Sequence, residues 1–107
     1  MQRRAQIISL LPDQIDAYEA LHAATWPEVL ATIRNCNIRN YSIYRHGTTL
    51  FSYMEYVGDN PEFDHAQMAA DPATRRWWQL TSPMQQPVAD ASSGEWWKPL
   101  SEVFHTD

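Results

Sequence analysis

Residues 40–57 read NYSIYRHGTTLFSYMEYV. Two runs of alternating character flank His46-Gly47, so the stretch reads as a β-hairpin with strands at 40–45 and 48–57. Successive strand residues point to opposite faces. Tyr41, Ile43 and Arg45 therefore share one face of the first strand, with Ser42 and Tyr44 on the other. In the second strand Leu50, Ser52, Met54 and Tyr56 oppose Phe51, Tyr53, Glu55 and Val57.

The pattern changes on either side of this hairpin. Upstream, residues 13–24 read as a helix, with Ile15, Tyr18, Leu21, His22 and then Thr25 recurring at helical spacings. Pro27 is favoured in a first helical turn and awkward inside a helix, so a break near Trp26 separates this helix from a second reaching residue 35. Val29, Leu30 and Ile33 form its expected inward face. Residues 4–11 read as a strand. Downstream, a helix spans 61–70, and Asp71-Pro72 restarts it as N-cap and first residue of another that ends before Pro83. Residues 85–95 are polar with Pro, Ser and Gly and read as an exposed loop; residues 102–105 read as a last strand. The order β-α-β-β-α-β gives an α+β fold of ferredoxin-like type, an antiparallel sheet with helices on one face. Its bare face is the place for a second copy, as in dimeric α+β barrels, so a homodimer is expected by analogy of architecture.

Composition narrows the function. The 107 residues make one domain, 1–107. Thirteen Asp and Glu against eight Lys and Arg leave a net charge of -5, which argues against nucleic acid and anionic lipid as partners. Three glycines leave no Gly-rich phosphate cradle, and a single cysteine, Cys36, excludes an internal disulfide and a thiolate metal cluster. No run approaches the ~20 apolar residues of a membrane span. The N-terminal Met1-Gln2-Arg3-Arg4 is not followed by a cleavable signal pattern, so a cytoplasmic setting is expected. Five Trp and five Tyr are a large aromatic allotment, used either in a core or around a ligand.

Tyr18 and His22 stand four residues apart and project side by side from one helix face. Two proton-transfer groups aimed at an apolar interior suggest a small site, because His titrates near neutral pH. The alternative is a core Tyr and a half-buried His with its hydrogen bonds satisfied. Trp77 and Trp78 follow Arg75-Arg76, and adjacent helix positions diverge by about 100°, so one indole can fill the core while the other lines a cavity. An indole face suits the C–H-rich face of a sugar; both as packing is the alternative. Tyr41 can offer a phenol to a ligand between sheet and helix, or be an ordinary strand aromatic. Trp96, Trp97, Phe104 and His105 read as edge or dimer contacts. Glu62-x-x-His65 is half of a di-iron motif without its other half, so no metal is expected.

These residues together resemble the L-rhamnose mutarotase family, which includes relatives acting on L-fucose. The likeness runs nearly end to end: DQIDAYEALHAATWPE at 13–28, NYSIY at 40–44, LFSYMEY at 50–56, DPATRRWW at 71–78 and EVFH at 102–105. The Tyr-x-x-x-His-x-x-x-Trp-Pro-Glu run and the Arg-Trp-Trp element are specific in combination. The resemblance implies a dimeric α+β fold and an aldose 1-epimerase that needs no cofactor. It implies His22 as proton donor, with Tyr18 beside it, and sugar contacts at Tyr18, Tyr41, Trp77 and Trp78. The substrate implied is a monosaccharide, a 6-deoxy-L-sugar.

The stretch 81–99 departs from the rhamnose pattern: LTSPMQQP at 80–87 and the added Trp96-Trp97 look closer to L-fucose-type relatives. Two other classes fit the same fold, a cofactor-independent monooxygenase-like enzyme and a sugar-binding module without catalysis. The first predicts oxygen consumption, or a haem spectrum on adding haem; the second predicts binding without anomer exchange.

Overall fold

The computed structural model describes residues 1–107. Strand β1 (Gln2–Leu10) is followed by a 3-10 turn (Pro12–Gln14), helices α1 (Ile15–Ala23) and α2 (Pro27–Asn35), and strands β2 (Ile38–His46) and β3 (Thr49–Tyr56). Helices α3 (Pro61–Ala70) and α4 (Pro72–Thr81) come next, then a second 3-10 turn (Ser82–Met84) and short strands β4 (Gln85–Gln86) and β5 (Lys98–Leu100). No helix is long and apolar enough to cross a membrane. Each helix but α1 begins with proline in its first turn, as the sequence suggests. Asn60 caps α3 by accepting from the Phe63 N–H, and Asp71 caps α4 by accepting from the Thr74 N–H. Gly47 supplies the left-handed residue that the β2–β3 turn needs, with φ of 59°.

The antiparallel sheet runs β2-β3-β1-β4, with β5 also on β1. The fourth-strand position is therefore split: Gln85 and Gln86 pair with Leu10 and Ser9, and Lys98–Leu100 pairs with residues 5–7. This corrects two sequence expectations. Residues 102–105 do not form the last strand, because the edge of β1 is already occupied by the segments before them. Val103 is 94 % and Phe104 78 % exposed, while Arg3 holds the tail by donating from Nε and Nη2 to Glu102 at 2.8 and 3.0 Å. The expected loop 85–95 likewise starts as strand. Pro99 is tolerated in β5 because an edge residue can lack a donor.

The inner face of the sheet carries Ile8, Leu10, Leu50, Ser52 and Tyr56, all buried. The buried apolar residues form two separate clusters. Ile8, Leu10, Leu50 and Tyr18 make one, with Ile15, Ile43, Met84 and Trp97 against it. Val29, Ala73 and Trp77 make the other, with Leu21, Trp26 and Ile33 alongside. Leu30 departs from its expected inward position: it is 53 % exposed, one step of ~100° round the helix from buried Val29.

Candidate functional site

Between the helices and the sheet lies a cavity of about 850 Å³. That is within the ~300–1,000 Å³ usual for small-molecule sites. Strands supply Gln6, Tyr41, Ile43, Met54 and Tyr56 to its wall; helices supply His22, Val29, Ile33, Trp77 and Trp78. Four of the five expected site residues thus line one cavity although they come from α1, β2 and α4. Tyr18, 4 % exposed, has its ring behind the wall, and its hydroxyl meets the wall at Gln85, which does line the cavity.

The α1 pair is close-set, as the i, i+4 spacing requires. The His22 ring stacks on Tyr18 at 4.1 Å between centroids and meets Trp77 edge-on at 5.2 Å. Trp77 in turn meets Trp26 edge-on at 5.2 Å, so Trp26 packs the α1–α2 break against α4. His22 Nδ1 lies 2.9 Å from the backbone carbonyl oxygen of Tyr18. A carbonyl can only accept, so Nδ1 carries the hydrogen and donates it. In the neutral ring Nε2 then holds a free lone pair. Burial lowers the His22 pKa below its ordinary 6.5, and the hydrogen bond to the carbonyl only partly offsets this. At pH 7 the site therefore holds a neutral imidazole with Nε2 as an acceptor.

Tyr41 reaches the cavity through an irregularity in β2. The β2–β3 register shifts between Arg39 and Ser42, so Asn40 and Tyr41 together face the single residue Met54. Before this bulge Ile38 pairs with Tyr56 on the inner face; after it Ile43 pairs with Ser52 on that same face. The extra residue turns Tyr41 inward. Asn40 takes the strain with φ of 49° and donates from Nδ2 to Glu55 Oε1 at 2.6 Å. Tyr41 is 38 % exposed as a whole, yet crowding around its hydroxyl pushes the phenol up to about 12, so it stays neutral at physiological pH. Of the tandem indoles, Trp77 is buried and Trp78 is more than a third exposed at the cavity rim.

Two further groups border the cavity that the sequence reading does not assign to it. Trp96 and Trp97, read above as edge or dimer contacts, lie in its wall; Trp97 also packs on the Ile8–Leu10 cluster. Trp96 Nε1 donates to Gln85 Oε1 at 3.0 Å, and Gln85 Nε2 donates to the Tyr18 hydroxyl at 3.3 Å. At the far end Tyr56 donates its hydroxyl hydrogen to buried Asp64, which also accepts from Asn37 Nδ2 at 2.9 Å. These bonds, Tyr56 first, hold the Asp64 carboxyl below its usual range. The pairing of Asn37 with Asp64 spans 27 positions and leaves no local signal in the sequence. Cys36 is buried, in line with a small apolar filler.

Comparison with known proteins bears on the family and the fold. The family model for L-rhamnose mutarotase matches residues 3–106. The chain is 33 % identical to the L-rhamnose mutarotase of Oceanobacillus iheyensis over 109 residues, covering 100 % of both chains. It is also 33 % identical to that of Phocaeicola vulgatus, again over 100 % of each. The crystal structure of an L-rhamnose mutarotase from Formosa agariphila superposes with a TM-score of 0.78 at 27 % identity, covering 100 % of both chains.

Proposed function

The chain belongs to the L-rhamnose mutarotase family, a group of carbohydrate isomerases, and from that premise we propose that it interconverts the α and β anomers of a 6-deoxy-L-sugar in the cavity described above. L-Rhamnose is the first substrate to expect, because the relatives carry that name. L-Fucose is the second, given the departures in residues 81–99. The observation that carries the reading is the neutral His22 with Nε2 free at the wall of a cavity that also gathers Tyr41, Trp77 and Trp78. Cavity volume alone suits larger aromatic ligands as well; the family relation favours the sugar.

Anomer exchange requires opening the ring. The hydroxyl on C1 loses its proton, the C1–O5 bond breaks to give the aldehyde, and O5 gains a proton. Rotation about C1–C2 and closure by the reverse steps give the other anomer. His22 Nε2, neutral at rest, takes the proton of the C1 hydroxyl, and the imidazolium so formed is the donor to O5. Tyr18 and Tyr41 hold sugar oxygens, and Trp77 and Trp78 pack the apolar face and the methyl group. Acid–base assistance of this kind is worth typically ~10²–10⁴-fold. We read residues 1–107 as one mutarotase-like domain working as a homodimer.

Two-dimensional exchange NMR of the anomeric protons, on L-rhamnose and separately on L-fucose, tests the reading. Faster exchange with protein on one sugar names the substrate. No acceleration on either removes the mutarotase assignment and returns the fold to the oxygenase and binding-module alternatives.

A further inference from the structure

Gln85 and Trp96 lie in the stretch where the sequence departs from the family's pattern, and neither is among the residues assigned a role above. Their hydrogen bonds can run in only one direction. An indole N–H donates and cannot accept. The Gln85 amide must therefore turn its oxygen to Trp96, at 3.0 Å, and its nitrogen to Tyr18, at 3.3 Å. An amide NH₂ only donates, so the Tyr18 oxygen is the acceptor of this bond. The hydrogen on that oxygen has to go elsewhere, and Gln85 is the one side chain that bonds the hydroxyl.

The rest of the segment holds this arrangement in place. Gln85 is buried and belongs to β4, where its backbone pairs with Leu10. The loop that delivers Trp96 is closed by the Glu95 carboxylate, which accepts from the Ser92 N–H at 2.7 Å and lies 3.7 Å from Lys98 Nζ.

We propose that Gln85, oriented by Trp96, is a positioning residue that makes Tyr18 an obligatory hydrogen-bond donor to an acceptor oxygen of the bound sugar. This rests on the mutarotase reading above. A sugar hydroxyl can meet a partner of either polarity, so a Tyr18 that can only donate fixes the oxygen it holds as the acceptor. Beside it in the stacked pair, His22 Nε2 is an acceptor, so the two members present opposite polarities to the ligand. Burial raises the Tyr18 phenol and the bond from Gln85 works against it, as donation from the amide requires.

Q85E inverts the relay with little change of shape. A carboxylate accepts from both Trp96 and Tyr18, which turns the Tyr18 hydrogen away from the sugar. Exchange is expected to fall on the order of 10-fold at neutral pH, part of what a positioned proton-transfer site contributes. The ratio of variant to wild-type rate should climb as pH falls and the new carboxyl protonates. A merely structural role would not give that pH dependence. W96F frees the amide to flip and should give an intermediate loss. The carbon-13 ζ resonance of Tyr18, assigned with Tyr18→Phe, reads the polarity without any substrate: it should move toward the phenolate position in Q85E. Q85L, which keeps the volume, serves if Q85E does not fold; the resonance should move there as the donor is lost. Wild-type exchange in folded Q85E at neutral pH, or an unmoved Tyr18 resonance in folded Q85L, overturns the proposal. An inactive wild type would instead overturn the mutarotase reading, with the Tyr18 resonance still deciding the relay.

Discussion

Replacing His22 by Ala separates catalysis from folding. The ring makes two aromatic contacts, stacked on Tyr18 at 4.1 Å and edge-on to Trp77 at 5.2 Å. Such contacts are worth about 0.5–1.5 kcal/mol each, so roughly 1–3 kcal/mol is lost. A domain of this length has roughly 5–15 kcal/mol in hand and stays folded. Tm should drop by about 4–8 °C for each kcal/mol. Catalysis should fall much further, by ~10²–10⁴-fold, because the imidazole is the group that takes and returns the proton in the proposed reaction. The assay is anomeric exchange NMR on the substrate sugar, with circular dichroism as the folding control. The wild-type pH profile checks the resting state. His22 has its pKa lowered below 6.5 by burial, so exchange should be flat above pH 6.5 and decline below it as Nε2 protonates. The stability sign is the same: the unfolded chain binds this proton more readily, so the contribution is complete above pH 6.5 and is lost as pH falls through the folded value. A folded His22→Ala protein exchanging at the wild-type rate, or a wild-type rate that rises on acidification, would refute the reasoning.

Other changes test the scaffold around the site. A Cβ at Gly58 would stand 2.5 Å from the Tyr56 hydroxyl and 2.6 Å from Asp64 Oδ2, so Gly58→Ala should cost about 1–3 kcal/mol in urea unfolding as the far end of the cavity is pushed apart. Ser52 Oγ is buried without a hydrogen-bond partner, so Ser52→Ala should be neutral or stabilising by up to ~1 kcal/mol in the same measurement. The outer face of the sheet aligns Ile7, Phe51 and Tyr44 across three strands, with Phe51 and Tyr44 exposed. If that face meets a second copy, light scattering should give twice the chain mass, and Phe51→Asp should return it to a monomer.

What was legible in the sequence is what is local. The Tyr18–His22 pair follows from four-residue helical spacing, the helix starts from Pro27, Pro61 and Pro72, and the hairpin from strict alternation about His46-Gly47. What failed depends on partners distant in the chain. The Glu102–His105 run has the alternation of a strand, but strand formation needs a free edge, and residues 85–86 and 98–100 occupy the one on β1. The bulge at Asn40–Tyr41 exists only relative to Met54 opposite, although it is what turns Tyr41 inward. Gln85 carries no periodicity of its own. Its place in the wall is set by Leu10 in β1 and by an indole eleven residues on.

The cavity and the core are one construction, and this decides which substitutions are informative. Tyr18 belongs to the cluster with Ile8, Leu10 and Leu50; Trp77 belongs to the cluster with Val29 and Ala73. His22 touches both, so the candidate site spans the gap between two small cores rather than sitting on a finished one. Trp77→Ala would remove a buried indole from a three-residue cluster at a cost of about 3–5 kcal/mol, a large part of the total. Its loss of activity would report unfolding as readily as lost sugar contact. Tyr18→Phe keeps the ring stacked on His22 and removes only the oxygen that Gln85 bonds. It should retain most of the stability and lose exchange activity, as measured by urea unfolding beside anomeric exchange. Equal, wild-type values in both would show that the hydroxyl has no part in the reaction and that Tyr18 serves the core alone.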